Sequence, residues 1–442
     1  MSDISKKSPR SPEELCEIFW NAEKEFKTLE KKIHNLSIWP YIRTAVYYRL
    51  SEYCTFFSKH HHPKKTMYCY LKILSSQLVT FFVKNPFFVI FFGKVDAVIF
   101  EHPRSKEING RVIDIYSYFI AKKLESEGKK IIFIDKSLHG THAKSSSFRR
   151  FNLDNIELIQ KIGQKIGSIF CFEKIFFKDE ISYFSSRIIG ANRLILTELS
   201  GAYLHFFLGK ILVKLFFKLA RPDQIYIVDS YSKRHFITQA AKECNITITE
   251  LQHGIVSDYH LGYAYPDYKN KSYSFLPDFF RGWEEEWKKS KNAWFNKCLI
   301  QSSFEYLFFL KNKYPKNEFG GKRKMVVISQ GAIGERLCKE IANRVENLKN
   351  YEIFYKLHPG EYSVYMNYSG YELLSKQKNV NFVENGDLYD LFSKSQLVVG
   401  VFSTAILEGI SFGLRPYLLD IAGIEYMKDR IEYSVIDELP EH

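Results

Sequence analysis

The chain has 442 residues, 45% of them hydrophobic and 16% aromatic, with 63 Lys and Arg against 50 Asp and Glu for a formal charge of +13. That length predicts two domains rather than one small core. The basic balance favours anionic partners, and the lack of zinc-finger spacing or an RNA-binding aromatic signature argues against nucleic acid.

Seven cysteines at wide spacings, with no CxxC pair, predict reduced thiols and a cytoplasmic setting. The N-terminus, MSDISKKSPRSPEEL, is polar and carries no secretory apolar region. Helical spacing predicts a first helix after Ser11 and Pro12, a cap and first-turn pair, and a second over Trp39–Tyr53. His60-His61-His62-Pro63 reads as a solvated loop. Leu78–Gly93 is the longest apolar stretch, interrupted at Lys84, Asn85 and Pro86, so neither half reaches the roughly 20 residues that span a bilayer. With its flanking lysines it reads either as a peripheral patch on an anionic membrane surface or as a buried helix and core strand.

From Val95 the pattern is strand (95–100), polar loop, helix (114–127) closed by Gly128, and strand (130–135), the grammar of a parallel sheet. Residues 150–220 read as helices. A strand (223–230), a helix (233–244) and a strand (246–254) follow. Residues 255–320 are irregular, apart from an exposed-looking helix at 282–289. A second α/β unit begins at 322, with strands at 322–328, 351–356, 380–384, 396–402 and 415–420 and a helix over 403–413. The expected fold is α/β: two Rossmann-like domains facing a cleft, ligands lying at the carboxyl ends of the strands. The expected division is a helical, membrane-associated segment at 1–92, an acceptor domain at 93–300, a nucleotide-donor domain at 301–425 and a tail at 426–442.

Four loops that follow predicted strands carry the candidate chemistry. Ser403-Thr404 opens a helix whose free N–H groups and hydroxyls can hold a phosphate oxygen, with Glu408 one turn on as a ribose acceptor. N-capping by Ser403 is the plain alternative. Lys356-Leu357-His358-Pro359 offers an imidazole to a phosphate leaving group, or is a surface turn. Ser329-Gln330-Gly331 allows close backbone approach, and it is not the GxGxxG pattern of dinucleotide binding. The fourth loop, with His253 and Asp258, joins Asp229 at another strand end as the place for an acceptor and its base. No DxD-like pair argues for a metal, and no cofactor is expected beyond a nucleotide-sugar acting as substrate.

The segments KLHP (356–359) and FSTAILEG (402–409) resemble the HP and S-T motifs of bacterial sialyltransferases, polysialyltransferases and Kdo transferases, enzymes of the two-domain GT-B fold. The run TELQHGIVSDYHLGYAYP (249–266) looks like a segment of bacterial capsule and lipopolysaccharide proteins, which also carry helices like IWPYIR (38–43) and turns like ISQ…IG (328–334). The resemblance implies a metal-independent glycosyltransferase, CMP-sugar favoured, acting on a glycan or glycolipid acceptor, with His358, Ser403 and Thr404 on the donor phosphate. The acidic motif that supplies the base in those families has no clean copy here. The QHG segment also resembles the WHG-type motif of teichoic-acid glycerophosphotransferases, which implies a CDP-polyol donor as the alternative. A non-catalytic assembly protein on the same fold is a third reading.

Overall fold

A computed structural model describes residues 8–58, 67–102, 104–108, 110–135, 148–231, 233–266, 273–283, 290–316 and 322–436. The triple-histidine loop and most of the helix expected at 282–289 lie outside the described residues. In chain order the strands are β1 (Ala97–Phe100), β2 (Ser105–Ile108), β3 (Arg111–Asp114), β4 (Ile131–Asp135), β5 (Arg149–Asn152), β6 (Gln224–Val228), β7 (Thr247–Leu251), β8 (Phe279–Gly282) and β9 (Leu299–Gln301). The second domain adds β10 (Arg323–Ile328), β11 (Tyr351–Lys356), β12 (Val380–Val383), β13 (Leu397–Gly400), β14 (Arg415–Leu418) and β15 (Ser434–Val435). The helices before the second sheet are α1 (Pro12–Glu25), α2 (Ile38–Tyr53), α3 (Met67–Phe82), α4 (Tyr118–Ser126), α5 (Asp154–Phe170), α6 (Glu173–Phe176), α7 (Lys178–Arg187), α8 (Ala191–Leu199), α9 (Ala202–Ala220), α10 (His235–Lys242) and α11 (Glu305–Lys313). Within it lie α12 (Gly334–Asn343), α13 (Tyr371–Ser375), α14 (Leu388–Ser393) and α15 (Thr404–Ser411).

The first sheet is parallel throughout, in the order β5-β4-β1-β6-β7-β8-β9. The second is also parallel, in the order β12-β11-β10-β13-β14-β15. Strand direction reverses its progress between β1 and β6 in one sheet and between β10 and β13 in the other. Those are the two switch points where loops diverge and leave a crevice at the carboxyl ends. The expected pair of Rossmann-like domains facing a cleft, a GT-B-like layout, is the fold. The central strands are apolar runs buried on both faces, Ala97–Phe100 and Leu397–Gly400 without exception, as helix-covered parallel strands must be.

Three elements depart from the sequence reading. The polar loop after β1 forms the antiparallel hairpin β2–β3. Two short strands, β8 and β9, emerge from the irregular region and extend the first sheet. The stretch after Thr80 makes no core strand. Helix α3 ends at Phe82, Asn85 caps a 3-10 turn over Pro86–Phe92 by accepting from the Phe87 N–H at 3.0 Å, and many apolar side chains there stay exposed. By length and composition alone Ile73–Phe92, of mean hydropathy 1.4, is apolar enough to cross a membrane, but the turn at Lys84–Asn85 divides it.

Ser11 caps α1 by accepting from the Glu14 N–H at 3.2 Å. Both N-terminal helices pack into the first domain, with Phe19 edge-on and Trp39 tilted against Phe184 of α7. The end of α2 also reaches the second domain: Tyr47 hydrogen-bonds Tyr426, and Phe57 packs on Phe402 and Tyr426. Between Tyr426 and β15 the chain touches the first domain, where Arg430 pairs with Asp258 at 3.4 Å.

Candidate active site

A cleft of about 1500 Å³ separates the domains and is lined from both sides. The second-domain wall is built from three strand-end loops that fasten one another. His358 leaves β11 in extended backbone and caps the turn Pro359–Glu361, its Nδ1 accepting from the Gly360 N–H at 3.1 Å. In the neutral ring the proton therefore sits on Nε2, which makes that nitrogen a donor. Glu361 completes the capping box by accepting from the His358 N–H at 2.8 Å. The same buried carboxylate takes the Ser329 hydroxyl at 2.8 Å and the Tyr368 hydroxyl at 3.3 Å. Burial pushes its pKa up, and those hydrogen bonds work against the rise.

The loop after β10 fits because it is short of side chains. A Cβ on Gly334 would stand 1.9 Å from Glu361 Oε1, and one on Gly331 would stand 3.6 Å from His358 Nδ1. Gln330 turns sideways, its Oε1 accepting from the Phe402 N–H at 3.3 Å, and so ties this loop to the one after β13. There Ser403 caps α15, accepting from the Ala405 N–H at 3.3 Å. The plain capping role is thus real. It also directs the positive end of the α15 dipole into the cleft beside the Thr404 hydroxyl. Lys356 lines the same wall, but its ammonium is held by the Val383 and Glu384 carbonyls. Burial, then nearby Lys106, lowers its pKa.

Across the cleft stand Arg104, Tyr231, His253, Gly254 and His260. A Cβ on Gly254 would lie 3.9 Å from Thr404 Oγ1, so the loop after β7 comes within contact range of the N-terminus of α15. The His253 ring meets the Tyr231 hydroxyl at 3.3 Å and the Tyr263 hydroxyl at 3.4 Å. Burial, with His102, His260, Arg234 and Arg104 around it, holds its pKa well below the usual histidine range. Burial likewise lowers His102 and His260 to about 4. His253 and His260, which line the first-domain wall, are therefore uncharged imidazoles at neutral pH.

Three sequence candidates stand elsewhere. Asp258 does not line the cleft. It accepts from the Ser290 hydroxyl at 2.7 Å and the Asn292 N–H at 3.0 Å and pairs with Arg430, so the polar density of this loop serves to anchor the chain. Asp229, with φ +68°, does not line the cleft. Glu408 is 1% exposed and lies beneath the cleft, engaged by the Tyr389 hydroxyl at 3.0 Å and by Arg104 at 3.4 Å. The other nine candidates, His253, Ser329, Gln330, Gly331, Lys356, His358, Pro359, Ser403 and Thr404, share the one cleft.

Sequence reasoning missed Arg104, Tyr116 and Glu361. Arg104 donates to the Tyr116 hydroxyl at 2.9 Å, and that hydroxyl donates to the His253 carbonyl at 3.0 Å, so a single guanidinium joins both domains to the His253 loop. Its position just after β1 was the available signal. Glu101, also just after β1, pairs instead with Arg150 at 2.7 Å, and burial pushes its carboxyl to about 8. Among the described residues, no group of three His, Cys, Asp or Glu is arranged to hold a metal ion.

No protein-family model and no curated protein matches the chain. Among solved structures it is similar to a UDP-GlcNAc 2-epimerase from Methanocaldococcus jannaschii, at 10% identity and TM-score 0.38, over 73% of this chain and 82% of that one. A UDP-GlcNAc 2-epimerase from Neisseria meningitidis bound to UDP-GlcNAc gives 13% identity and TM-score 0.38, over 74% and 82%. The glycosyltransferase SnogD from Streptomyces nogalater gives 11% identity and TM-score 0.37, also over 74% and 82%. Likeness at this level assigns neither substrate nor reaction to the chain.

Proposed function

We propose that the protein is a nucleotide-sugar-dependent glycosyltransferase that extends a bacterial surface polysaccharide or lipopolysaccharide at the cytoplasmic face of the membrane, with a CMP-sugar as the favoured donor. The observation that carries this reading is that His358, Ser403 and Thr404, with the N-terminus of α15, line the second-domain wall of the cleft while His253 lines the first-domain wall. Donors arranged in this way suit a phosphate that gains negative charge as a glycosidic bond breaks.

In this mechanism the nucleotide lies on the second domain, its phosphate at His358, Ser403 and Thr404 and its base over the Ser329–Gly331 loop. Arg104, which lines the cleft from the first domain, adds positive charge beside the donor phosphate. The acceptor hydroxyl enters from the first domain and loses its proton to the neutral His253 as it attacks the anomeric carbon. The bond to the leaving phosphate breaks as the new glycosidic bond forms.

A second reading rests on the same residue: His253, which lines the cleft, would equally serve as base in transfer of a glycerophosphoryl group from a CDP-polyol. Incubating the purified chain with CMP-, UDP- and GDP-sugars and CDP-glycerol, and measuring nucleotide release with and without acceptor glycans, separates the two. Release from a sugar donor supports the glycosyltransferase. Release from CDP-glycerol alone replaces it, and release from none rejects both in favour of a non-catalytic protein.

A further inference from the structure

The first domain carries a surface that the cleft does not use. Helix α5 packs against α9 through small residues: a Cβ on Gly167 would lie 3.0 Å from the Gly201 Cα, and one on Gly163 would run into Leu208. That close contact fixes which stripe of α5 points inward and which outward. The outward stripe is apolar, with Leu158, Ile162, Ile166 and Ile169 spaced on one face, and Ile169 and Phe170 are 75% and 74% exposed. The surface continues onto α3, which packs beside α5, and onto the 3-10 turn against α9, where Phe82 and Phe91 are exposed and Phe91 reaches 78%. Monomeric soluble proteins rarely leave a contiguous apolar area of this kind uncovered.

The charges at its border identify what covers it. Lys161 and Lys165 run along one edge of the α5 stripe, and with Lys174 and Arg193 they line a groove beside Leu158 and Ile162. None of the four forms an ion pair among the described residues. An apolar stripe edged by unpaired cations is the pattern of a helix lying in a lipid–water interface, its aliphatic face among the acyl chains and its cations among anionic headgroups. The exposed arc of α5 presents only aliphatic, aromatic and lysine side chains besides Ser168, the composition of a face that meets acyl chains and anionic headgroups. The α3 helix has 16 residues, about 24 Å of length, which suits lying on a bilayer better than crossing about 30 Å of hydrocarbon.

We infer that the face formed by α3, the 3-10 turn and α5 docks the protein onto an anionic membrane surface as a peripheral protein. This stands independently of the transfer chemistry. The test is co-sedimentation of the full chain with vesicles of phosphatidylethanolamine and phosphatidylglycerol, against vesicles of phosphatidylcholine alone, with two exposed-face variants whose folding is checked by circular dichroism. The wild type is expected to sediment with the anionic vesicles, weakly with the neutral ones, and to be released by alkaline carbonate. Lys161→Gln with Lys165→Gln should weaken partitioning to anionic vesicles roughly 30-fold, and Ile162→Asp with Ile166→Asp by at least about 100-fold. Three results would overturn the proposal: wild type remaining in the supernatant, the charge variant sedimenting like wild type, or resistance to carbonate extraction, which denotes a spanning segment. Light scattering that finds a dimer abolished by the isoleucine changes would assign the face to a second copy instead.

Discussion

Replacing His358 separates the two jobs that its ring performs. Nδ1 caps the turn by accepting from the Gly360 N–H, which leaves Nε2 as the ring's donor on a residue that lines the cleft. His358→Ala removes both. The lost cap costs about 0.5–2 kcal/mol of stability, and the lost donor, if it stabilises a leaving phosphate, costs about 100- to 1000-fold in kcat. His358→Asn keeps an acceptor suited to the capping position and removes only the Nε2 donor. The asparagine variant should therefore melt close to wild type and still lose turnover about as severely as the alanine variant. Urea denaturation reads the first quantity, and nucleotide release with the active donor reads the second. Full turnover in His358→Asn would refute the donor-site assignment, because it would show that the imidazole serves the loop alone.

Arg43 is fully buried, pairs with Glu23 at 2.6 Å and donates to the Ala264 carbonyl at 3.1 Å, so it clamps the loop that carries His253. Arg43→Met leaves Glu23 buried and uncompensated and should cost about 3–5 kcal/mol in urea denaturation, with Glu23→Met on the same chain recovering most of it. Burial raises the Glu250 carboxyl from 4.5 to about 8, against hydrogen bonds from Ser230. The folded protein thus holds a proton that the unfolded chain has released, and this carboxyl's contribution falls as pH rises from 4.5 through about 8. Glu250→Gln should flatten that fall in melting temperature, and an unchanged slope would show that Glu250 is ionised in the fold. Gly334→Ala drives a methyl into Glu361. It should weaken nucleotide binding by calorimetry, because Glu361 ties the Ser329 and His358 loops together.

Much of this architecture was readable from hydrophobic runs, because parallel strands buried on both faces announce themselves as continuous apolar segments. The strand ends, and with them Ser329, His358 and Ser403, followed directly. The hairpin at Ser105–Asp114 was not readable: its residues are largely charged, and it is defined by pairing rather than by burial. The strands Phe279–Gly282 and Leu299–Gln301 are too short to show a period and exist because the edge of β7 offers partners to the first, which in turn offers its own edge to the second. Side-chain roles were harder still. Asp258 and Glu408 carry the residue types of a site, but their partners, Arg430 and Arg104, lie 172 and 304 positions away in sequence. Glu361 stood in plain sight within KLHPGE, yet only the fold shows that three loops converge on it.

The most direct test is a crystal structure of the chain soaked with the nucleotide that it releases or, failing release, with CMP. The account predicts a phosphate within hydrogen-bonding distance of His358 Nε2, the Thr404 hydroxyl and the first N–H groups of α15. A nucleotide bound elsewhere, or a phosphate held by the first domain with that wall empty, would contradict it.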